Sequence, residues 1–342
     1  MSEENGGYER LISQDSISVE TVLRPSIGEY FREVDDWSFE CVKCRPGRNG
    51  MTLFRASNKD GSIQVAIKSH KKKQLNKEQF LATEAMYRSK VRFVRPIFLD
   101  HGCRFFVMEW VDAPLLSSEL GSSQHHTLIS SAGKWLADMQ AATGAGPLET
   151  GVIRDFRRPK VSFDWTFVRA LLQFRKRIRE TVSSSAGLVR LHGDYHSGNI
   201  FRTENGLLGF DAQYDGFGSP FRDVARFLLD LALKRNAFEC AGHSWPGDAE
   251  SDRRNFFEGY GAIDLEMVSM FDLVEDYTLF KRWCRYRVKD RGGGTHHFLE
   301  GELSRRGFID AEVPVTRPGR LLATPNNPSG CWSSTTSVKK RL

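Results

Sequence analysis

The chain has 342 residues, of which 40% are hydrophobic, so it is long enough for two lobes or two domains with full cores. Its 49 basic and 43 acidic residues give a net charge of +6, spread along the chain rather than gathered in one stripe. That pattern argues against a nucleic-acid partner. No apolar stretch is long enough to span a membrane, and residues 1–7 lack the apolar core of a secretory signal. We therefore expect a cytoplasmic protein with no nucleic-acid or membrane partner.

The first 111 residues predict a small β-rich lobe. Residues 1–36 form a mobile or helical extension, and alternating apolar and polar residues then predict strands. A helix from Lys77 to about Ser89, with Asn76 as its N-cap, separates the third strand from the fourth. The predicted strands are 37–43, 51–55, 63–68, 94–99 and 104–111. The order βββαββ matches the small lobe of a kinase-like fold.

Two cysteines lie in the first predicted strand. Cys41 and Cys44 form a lone C-x-x-C, with no second pair or histidines at the spacing of a zinc site. Side chains alternate between the two faces of a strand, so residues three apart should point to opposite faces. We therefore expect neither a metal site nor a disulfide here.

Beyond residue 112 the pattern is mostly helical. Apolar residues recur at helical spacing from Leu128 to Met139, from Val168 to Ile178, and again from Phe221. From about Pro314 the chain is rich in Pro, Gly, Ser, Thr and Asn, which is typical of disorder. The predicted organisation is an N-terminal extension, an N-lobe over 37–111, a C-lobe over 112–313, and a disordered tail over 314–342.

The segment Leu191–Ile200 carries the most informative motif, because it places a carboxylate, Asp194, and an amide, Asn199, on one short loop. A second carboxylate, Asp211, follows twelve residues later, at the end of the apolar run 206–210. Phosphoryl transfer from ATP needs such a set. One carboxylate orients the attacking hydroxyl and accepts its proton, while an amide and a second carboxylate hold Mg²⁺ against the phosphates. We predict Asp194 as the base, and Asn199 with Asp211 as the metal ligands.

These residues resemble the aminoglycoside phosphotransferase family of small-molecule kinases, which includes choline-kinase-like enzymes. The family carries H-G-D-x-H-x-G-N, then a magnesium aspartate, then Asp-x-Ala opening a helix. Here these are 192–199, Asp211 and 223–225, and the resemblance is strong over 190–232. The family usually has an aromatic residue after the magnesium aspartate, where this chain has Ala212. The resemblance implies that Asp223 ties down the backbone of the catalytic loop.

Lys68 ends the apolar run Val65-Ala66-Ile67, as expected of a lysine that contacts the phosphates of ATP. An acid on the following helix would hold it in place. Glu84 and Glu78 are the candidates, and we favour Glu84 because apolar residues surround it.

The resemblance also implies where adenine binds. The strand over 104–111 would run into the hinge between the lobes, where the backbone of Glu109 and Val111 would meet the adenine edge. The glycine loop is less clear, because Gly47 and Gly50 do not form G-x-G-x-x-G.

The acceptor is left open between two interpretations of the region 255–280, which contains several acids and no Lys, Arg or His. The acids could face a cleft and bind a cationic acceptor, or they could form a helix face turned to water. Five nearby aromatic residues could line a pocket or belong to the core. The acids are Glu258, Asp264, Glu266, Asp272, Glu275 and Asp276, and the aromatic residues are Phe256, Phe257, Tyr260, Phe271 and Tyr277.

The prediction is therefore a two-lobed α+β protein of the protein-kinase-like fold. It would use ATP and Mg²⁺ to phosphorylate a hydroxyl of a small molecule, such as an aminoglycoside, amino alcohol or sugar. A protein kinase is the first alternative, although only eleven residues separate Asp211 from Asp223 and no Ala-Pro-Glu follows. A pseudokinase that binds nucleotide without transfer is the second. The sequence does not predict the oligomeric state.

Overall fold

The structure is a computed structural model that describes residues 19–32, 34, 36–45, 50–144, 165–181, 187–213, 216–288 and 294–309. The predicted tail, 314–342, lies outside these residues, as do most of the residues of the N-terminal extension. The strands are β1 Ser38–Arg45, β2 Met51–Ser57, β3 Gln64–His70, β4 Pro96–Leu99, β5 Phe106–Glu109, β6 Val189–Arg190, β7 Ile200–Thr203, β8 Gly206–Gly209 and β9 Phe217–Gly218. The helices are α1 Arg24–Tyr30, α2 Lys73–Arg88, α3 Leu116–Glu119, α4 His125–Ala142, α5 Trp165–Thr181, α6 Phe221–Cys240, α7 Ala249–Tyr260, α8 Leu265–Val288 and α9 Gly294–Arg305, with a π-helical turn Val19–Leu23 before α1 and a 3₁₀ turn Ser197–Asn199 before β7.

The N-terminal region is a five-stranded antiparallel sheet in the order β1-β2-β3-β5-β4, with α2 between β3 and β4 in sequence. This confirms the order βββαββ. The described elements after β5 are mainly helices, with two short antiparallel strand pairs, β6 with β9 and β7 with β8. The predicted α+β fold, with a β-rich N-terminal part and a helical C-terminal part, is confirmed.

The outer face of the sheet packs on α1. Leu23 and Ile27 are fully buried against Trp37 and the sheet residues Phe54 and Ile67. The burial of each apolar side chain of this size contributes about 1.5–3 kcal/mol to the stability of the folded protein. The described part of the N-terminal extension is therefore a helical cover for the sheet.

A β-bulge in β1 changes the face of the sheet on which the following side chains of this strand lie. The register passes from Cys41 opposite Phe54 to Lys43 opposite Leu53, which leaves Val42 as the extra residue, 45% exposed. After the bulge the alternation is shifted by one residue.

The bulge also corrects the prediction for the C-x-x-C pair. Cys41 lies opposite Phe54 and Cys44 opposite Thr52, two positions that share a face of β2. Both cysteines therefore lie on one face of β1, not on opposite faces. Burial and the neighbouring Cys44 raise the pKa of the Cys41 thiol, which keeps it protonated at neutral pH.

Helix α2 begins four residues earlier than predicted, at Lys73, and Asn76 is not its N-cap. The Asn76 side chain is buried instead. Its amide oxygen accepts from the backbone of His70 (2.7 Å), and its amide nitrogen donates to the carbonyl of Arg104 (2.8 Å). Asn76 therefore ties α2 to the end of β3 and to the chain entering β5. The lysine run before it has no apolar periodicity, so the earlier start had no sequence signal.

Two glycines allow α4 and α7 to cross closely. A Cβ on Gly133 would overlap the carbonyl oxygen of Phe256, and a Cβ on Gly259 would overlap that of Ser130. Both helices contribute side chains to the hydrophobic core that contacts the catalytic loop. Trp135, on α4, belongs to this core.

Gly259→Ala should therefore destabilise the protein by about 1–3 kcal/mol, because the added methyl group forces the two helix backbones apart. Denaturant unfolding of the purified variant measures this. Gly301→Ala is the matched control, because Gly301 lies in α9 with open space around its Cα. It should be neutral or stabilise by up to about 1 kcal/mol. Equal effects of the two substitutions would contradict the close crossing.

Among the described residues, none of the helices combines the length and the apolar character needed to cross a bilayer.

Candidate active site

The N-terminal turn of α6 anchors residues 191–199, the segment called here the catalytic loop. Asp223, fully buried in the first turn of that helix, accepts from the backbone N–H groups of His192 (2.7 Å) and Gly193 (3.1 Å). This confirms the role that the resemblance implied for Asp223. Burial raises the pKa of Asp223 to about 6, although both N–H groups and nearby arginines act to lower it. A second anchor is Tyr195, whose hydroxyl donates to the carbonyl of Ala132 (2.6 Å).

Asp194, the predicted base, leaves this loop between three polar side chains. Arg226 forms a salt bridge with its Oδ1 and also donates to the carbonyl of Gly193 (3.0 Å). Gln213 donates to Asp194 Oδ2 (3.1 Å), and the Nε2 of His196 lies 3.8 Å from Oδ1. The carboxylate is thus oriented by contacts from both sides, with 18% of its side chain exposed to a cavity.

The two predicted metal ligands lie on adjacent segments. The side-chain amide of Asn199 donates to the carbonyl of Asp194 (3.0 Å), and the backbone of Phe210 donates to the carbonyl of Asn199 (3.1 Å). Asp211 follows with a backbone φ of +62°, a left-handed conformation that turns the chain out of β8. An amide oxygen and a carboxylate are ligand types that Mg²⁺ prefers, so Asn199 and Asp211 offer a donor set suited to it. Ala212, where the family usually has an aromatic residue, is fully buried in the core.

Lys68 contacts Asp211, not Glu84. Its ammonium lies 2.5 Å from Asp211 Oδ1, and only 7% of its side chain is exposed. Glu84 forms a salt bridge with Arg88 on its own helix (2.7 Å). The ion pair predicted between Lys68 and Glu84 is therefore wrong for this structure. Glu84, half-buried on α2, is thus engaged by Arg88, while Asp211, from the segment after β8, reaches Lys68 on β3.

This contact also sets the charge of Asp211. Burial acts to raise the pKa of the carboxyl, but the charge and hydrogen bond of Lys68 lower it by more, so the net pKa is below its ordinary value. Asp211 therefore carries its charge at neutral pH, as a metal ligand must.

The sheet adds further cations to this side of the cleft. Lys43 lies opposite Leu53, which lies opposite Lys68, so the three side chains share one face of the sheet. Arg45 and His70 form the next row on that face. Burial and the Arg45 cation lower the pKa of Lys43. Sequence reasoning missed Lys43 because the bulge at Val42 reverses the face that simple alternation gives it.

The predicted hinge residues lie at the end of β5. Glu109 accepts from the backbone N–H of Arg95 with its side chain (2.7 Å), and its own N–H donates to the Arg95 carbonyl (2.9 Å). Val111 follows beyond the end of the strand. These contacts fix the strand end, and the adenine contacts of both residues stay a prediction. Gly47 lies outside the described residues, so the glycine loop is not described as a whole.

His192 is buried among aromatic rings. Phe93, Trp135 and Tyr195 surround it at ring-centre distances of 5.6–6.1 Å, and neither ring nitrogen has a hydrogen-bond partner among the described residues. Burial lowers the pKa of His192 from 6.5 to about 4, although Asp194 and Asp211 act in the opposite direction. A neutral imidazole packed in this way supports the loop through its ring contacts.

The depressed pKa predicts that His192 makes the fold sensitive to acid. The native state holds this histidine neutral, so its stabilising contribution is present above pH 6.5 and is lost as the pH falls toward about 4. We expect this to cost the wild type about 3 kcal/mol of unfolding free energy. Denaturant unfolding of wild type and His192→Phe at pH 7, 5.5 and 4 isolates the effect, because other titrating groups are shared. His101→Gln, at an exposed histidine, is the control. If the unfolding free energies of wild type and His192→Phe fell in parallel with pH, the prediction would be contradicted.

Three of the six acids of 255–280 pair with arginines. Asp276 forms salt bridges with Arg177 and Arg306, Glu275 pairs with Arg253 (3.1 Å) and with Arg306 (3.3 Å), and Asp272 pairs with Arg253 (3.2 Å). These pairs join α8 to its neighbours, which argues against a role of these three acids in binding a cationic acceptor. The aromatic residues Phe256, Phe257, Tyr260, Phe271 and Tyr277 belong to, or pack against, the hydrophobic cores. Tyr277 also lines the cavity beside Asp194, so both interpretations hold for that residue.

Beside Asp194 opens a cavity of about 510 Å³, between the catalytic loop and helices α6 and α8. This volume is in the range of small-molecule sites, about 300–1,000 Å³. His196 also lines it. Arg226 and Gln213 complete this side of the site, and the sequence analysis passed over both. A signal existed for Arg226, because it lies three residues after Asp223 and one helical turn places both on the same side of α6.

Comparisons with known proteins agree with this geometry. The model of the phosphotransferase enzyme family matches residues 65–241, just over half of the chain, whereas no curated protein sequence matches. Among solved structures, an ethanolamine kinase from Plasmodium vivax has a TM-score of 0.56 at 13% identity, covering 89% of this chain and 96% of its own. A glucosamine kinase in complex with glucosamine, ADP and inorganic phosphate has a TM-score of 0.54 at 14% identity, covering 85% and 84%. An amicoumacin kinase in complex with AMP-PNP and Ca²⁺ has a TM-score of 0.52 at 11% identity, covering 79% and 88%.

The fold and the family match are thus those of a protein-kinase-like small-molecule phosphotransferase. The chain belongs to the phosphotransferase enzyme family.

Proposed function

We propose that this protein transfers the γ-phosphoryl group of ATP to a hydroxyl of a small molecule, with Mg²⁺ as its metal cofactor. The observation that carries the proposal is the convergence of Asp194, Asn199, Asp211 and Lys68 from separate segments at one cleft. Asp194 orients the acceptor hydroxyl and takes its proton. Lys68, with Lys43 on the same sheet face, contacts the phosphates of ATP, and the hinge backbone at Glu109 and Val111 meets the adenine.

The donor set fits the metal. Asn199 is held by its amide nitrogen, which leaves its amide oxygen available, and Asp211 is charged at neutral pH. Bound there, Mg²⁺ would neutralise the charge that builds up on the phosphates. The chain itself supplies positioning. The loop anchored by Asp223 and Tyr195 holds Asp194 in place, and direct in-line transfer then needs no covalent enzyme intermediate.

The test is ADP release by the purified protein with Mg-ATP and a panel of hydroxylated small molecules: aminoglycosides, choline, ethanolamine, homoserine and sugars. We expect acceptor-dependent release that falls by about 10²- to 10⁴-fold in Asp194→Asn, because the amide cannot accept the proton. The variant keeps the size of the side chain, and an unchanged melting temperature shows that it folds. Release at the wild-type rate would contradict the role of Asp194. Nucleotide binding without release for any acceptor would instead favour the pseudokinase.

A further inference from the structure

Four ionisable side chains form one row along α6, because their spacing of three, four and four residues returns each of them to the same side of the helix. They are Asp223, Arg226, Asp230 and Lys234. The first two contact the half of the catalytic loop that ends at Asp194. The third contacts the other half, which ends at Asn199. Helix α6 therefore contacts the loop on both sides of the predicted base.

Asp230 binds the turn that leads from the base to the predicted metal ligand. Its Oδ2 accepts from the backbone N–H of Ser197 (3.0 Å) and also from the hydroxyl of Ser197 (2.6 Å). Ser197 is fully buried and is the first residue of the 3₁₀ turn Ser197–Asn199. Both hydrogens that Ser197 can donate thus go to one carboxylate oxygen, which fixes the start of the turn to α6.

Lys234 keeps Asp230 in the ionised form that binds the turn most strongly. Its ammonium lies 2.6 Å from Oδ1, the other oxygen of the carboxylate, and the two residues are one helical turn apart. Burial acts to raise the pKa of Asp230, but Lys234 and the hydrogen bond from Ser197 lower it by more. Asp230 is therefore charged at neutral pH, and hydrogen bonds to a charged acceptor are stronger than those to a neutral one.

The turn connects Asp230 to Asn199 within two residues. His196 caps it, since its Nδ1 accepts from the N–H of Gly198 (3.1 Å) and its carbonyl accepts from the N–H of Asn199 (2.9 Å). The side-chain amide of Asn199 donates to the carbonyl of Asp194 (3.0 Å). The orientation of the Asn199 amide thus depends on the backbone of the turn as well as on the backbone at Asp194.

We propose that Asp230 is a positioning residue for the metal site: it fixes the turn that carries Asn199, and with it the orientation of the amide that would ligate Mg²⁺. This inference rests on the proposed function. Asp223 and Asp230 then have separate roles, because Asp223 fixes the segment before the base and Asp230 fixes the segment before the metal ligand. Groups that orient a metal ligand commonly change metal affinity by about 10- to 100-fold when they are removed.

The experiment measures Mg²⁺ binding apart from turnover. ADP is titrated into each protein by calorimetry at a series of Mg²⁺ concentrations, and the dependence of ADP affinity on Mg²⁺ gives the affinity for the metal. Wild type is compared with Asp230→Asn, which keeps the size of the side chain, and with Ser197→Ala, which removes only the hydroxyl donor. Glu239→Gln is the matched control, because Glu239 is an exposed acid on the same helix.

We expect Asp230→Asn to raise the Mg²⁺ dissociation constant about tenfold, and Ser197→Ala to raise it about threefold. The affinity for ADP without Mg²⁺ should be unchanged, which a general loss of structure would not leave intact. ADP release from Mg-ATP with the acceptor panel is recorded for the same proteins, and saturating Mg²⁺ should restore most of the turnover of both variants.

An Mg²⁺ affinity of Asp230→Asn equal to that of Glu239→Gln would overturn the inference. Asp230 also lines the cavity beside Asp194, and a role in acceptor binding alone would give this result together with a raised KM for the acceptor. ADP affinity that falls equally with and without Mg²⁺ would also overturn it. If Asp230→Asn does not fold, Ser197→Ala decides, and an unchanged Mg²⁺ affinity in that variant counts against the inference.

Failure of the proposed function gives a different result. If Asp230→Asn weakens Mg²⁺ binding as expected, but wild type releases no ADP from Mg-ATP with any acceptor, the positioning role is supported and the proposed phosphoryl transfer is contradicted. A wild type whose ADP affinity does not depend on Mg²⁺ would contradict the metal site, and the inference with it.

Discussion

Asp211→Asn should lower acceptor-dependent ADP release by about 10³-fold. A metal that neutralises phosphate charge contributes several kcal/mol to the transition state, and about 4 kcal/mol corresponds to this factor. Asn is preferred to Ala because the backbone at Asp211 has a φ of +62°, and Asn tolerates that region better than most residues. The loss of turnover then reflects the missing charge rather than a strained loop.

The same substitution leaves Lys68 without its ionic partner. Because only 7% of the Lys68 side chain is exposed, its unpaired charge should also lower the melting temperature. Turnover is measured at several Mg²⁺ concentrations, with Glu204→Gln as the control, since Glu204 is an exposed acid in the turn between β7 and β8. If Asp211→Asn keeps turnover within threefold of wild type, Asp211 is not a metal ligand.

Asp223→Ala should destabilise the protein by about 2–5 kcal/mol. It leaves the backbone N–H groups of His192 and Gly193 buried without an acceptor, and each such group costs about 1–3 kcal/mol. The variant also removes the cost of burying a carboxylate, which is why we place the effect below the sum of the larger values. Denaturant unfolding at pH 7 measures the change.

Measurement of kcat and KM distinguishes a role of Asp223 in positioning Asp194 from a role in stability alone. Freed from Asp223, the loop no longer fixes Asp194, so kcat should fall more than KM rises even well below the melting temperature. Asp223→Asn can satisfy one of the two N–H groups and should lie between wild type and Asp223→Ala. Glu250→Ala, an exposed acid in the first turn of α7, should change stability by less than about 0.5 kcal/mol. An Asp223→Ala variant as stable and active as this control would show that the loop holds its shape without the carboxylate.

Local patterns predicted much of the fold and the centre of the site. Alternation of apolar and polar residues predicted β1, a continuous apolar run that ends at Lys68 predicted β3, and apolar residues at helical spacing predicted α6. The loop residues Asp194 and Asn199 are close in sequence, so their proximity in space needs little tertiary information. The backbone hydrogen bond from Phe210 to Asn199 then places the segment that carries Asp211 next to this loop.

The features that the sequence did not predict depend on contacts between segments that are distant along the chain. The partner of Lys68 lies 143 residues away, and choosing between Glu84 and Asp211 requires the rotation of α2 about its axis, which no local pattern gives. The two interpretations of the region 255–280 stayed open in the sequence for a similar reason. The acidic window 255–280 ends one residue before Lys281, and the side of α8 that faces the catalytic loop is decided by packing.

The bulge at Val42 makes the first strand tolerant of a length change at one position. Loss of Val42 in a related chain would join Cys41 to Lys43 in a regular ladder, and both would keep their partners, Phe54 and Leu53. Loss of Lys43 instead would bring Val42 opposite Leu53 and put an aliphatic side chain where a cation faces the cleft. Deletion of Val42 would thus remove one exposed residue and leave the ladder intact. Deletion of Lys43, the next residue, would remove a cation from the face of the sheet where we propose that ATP binds.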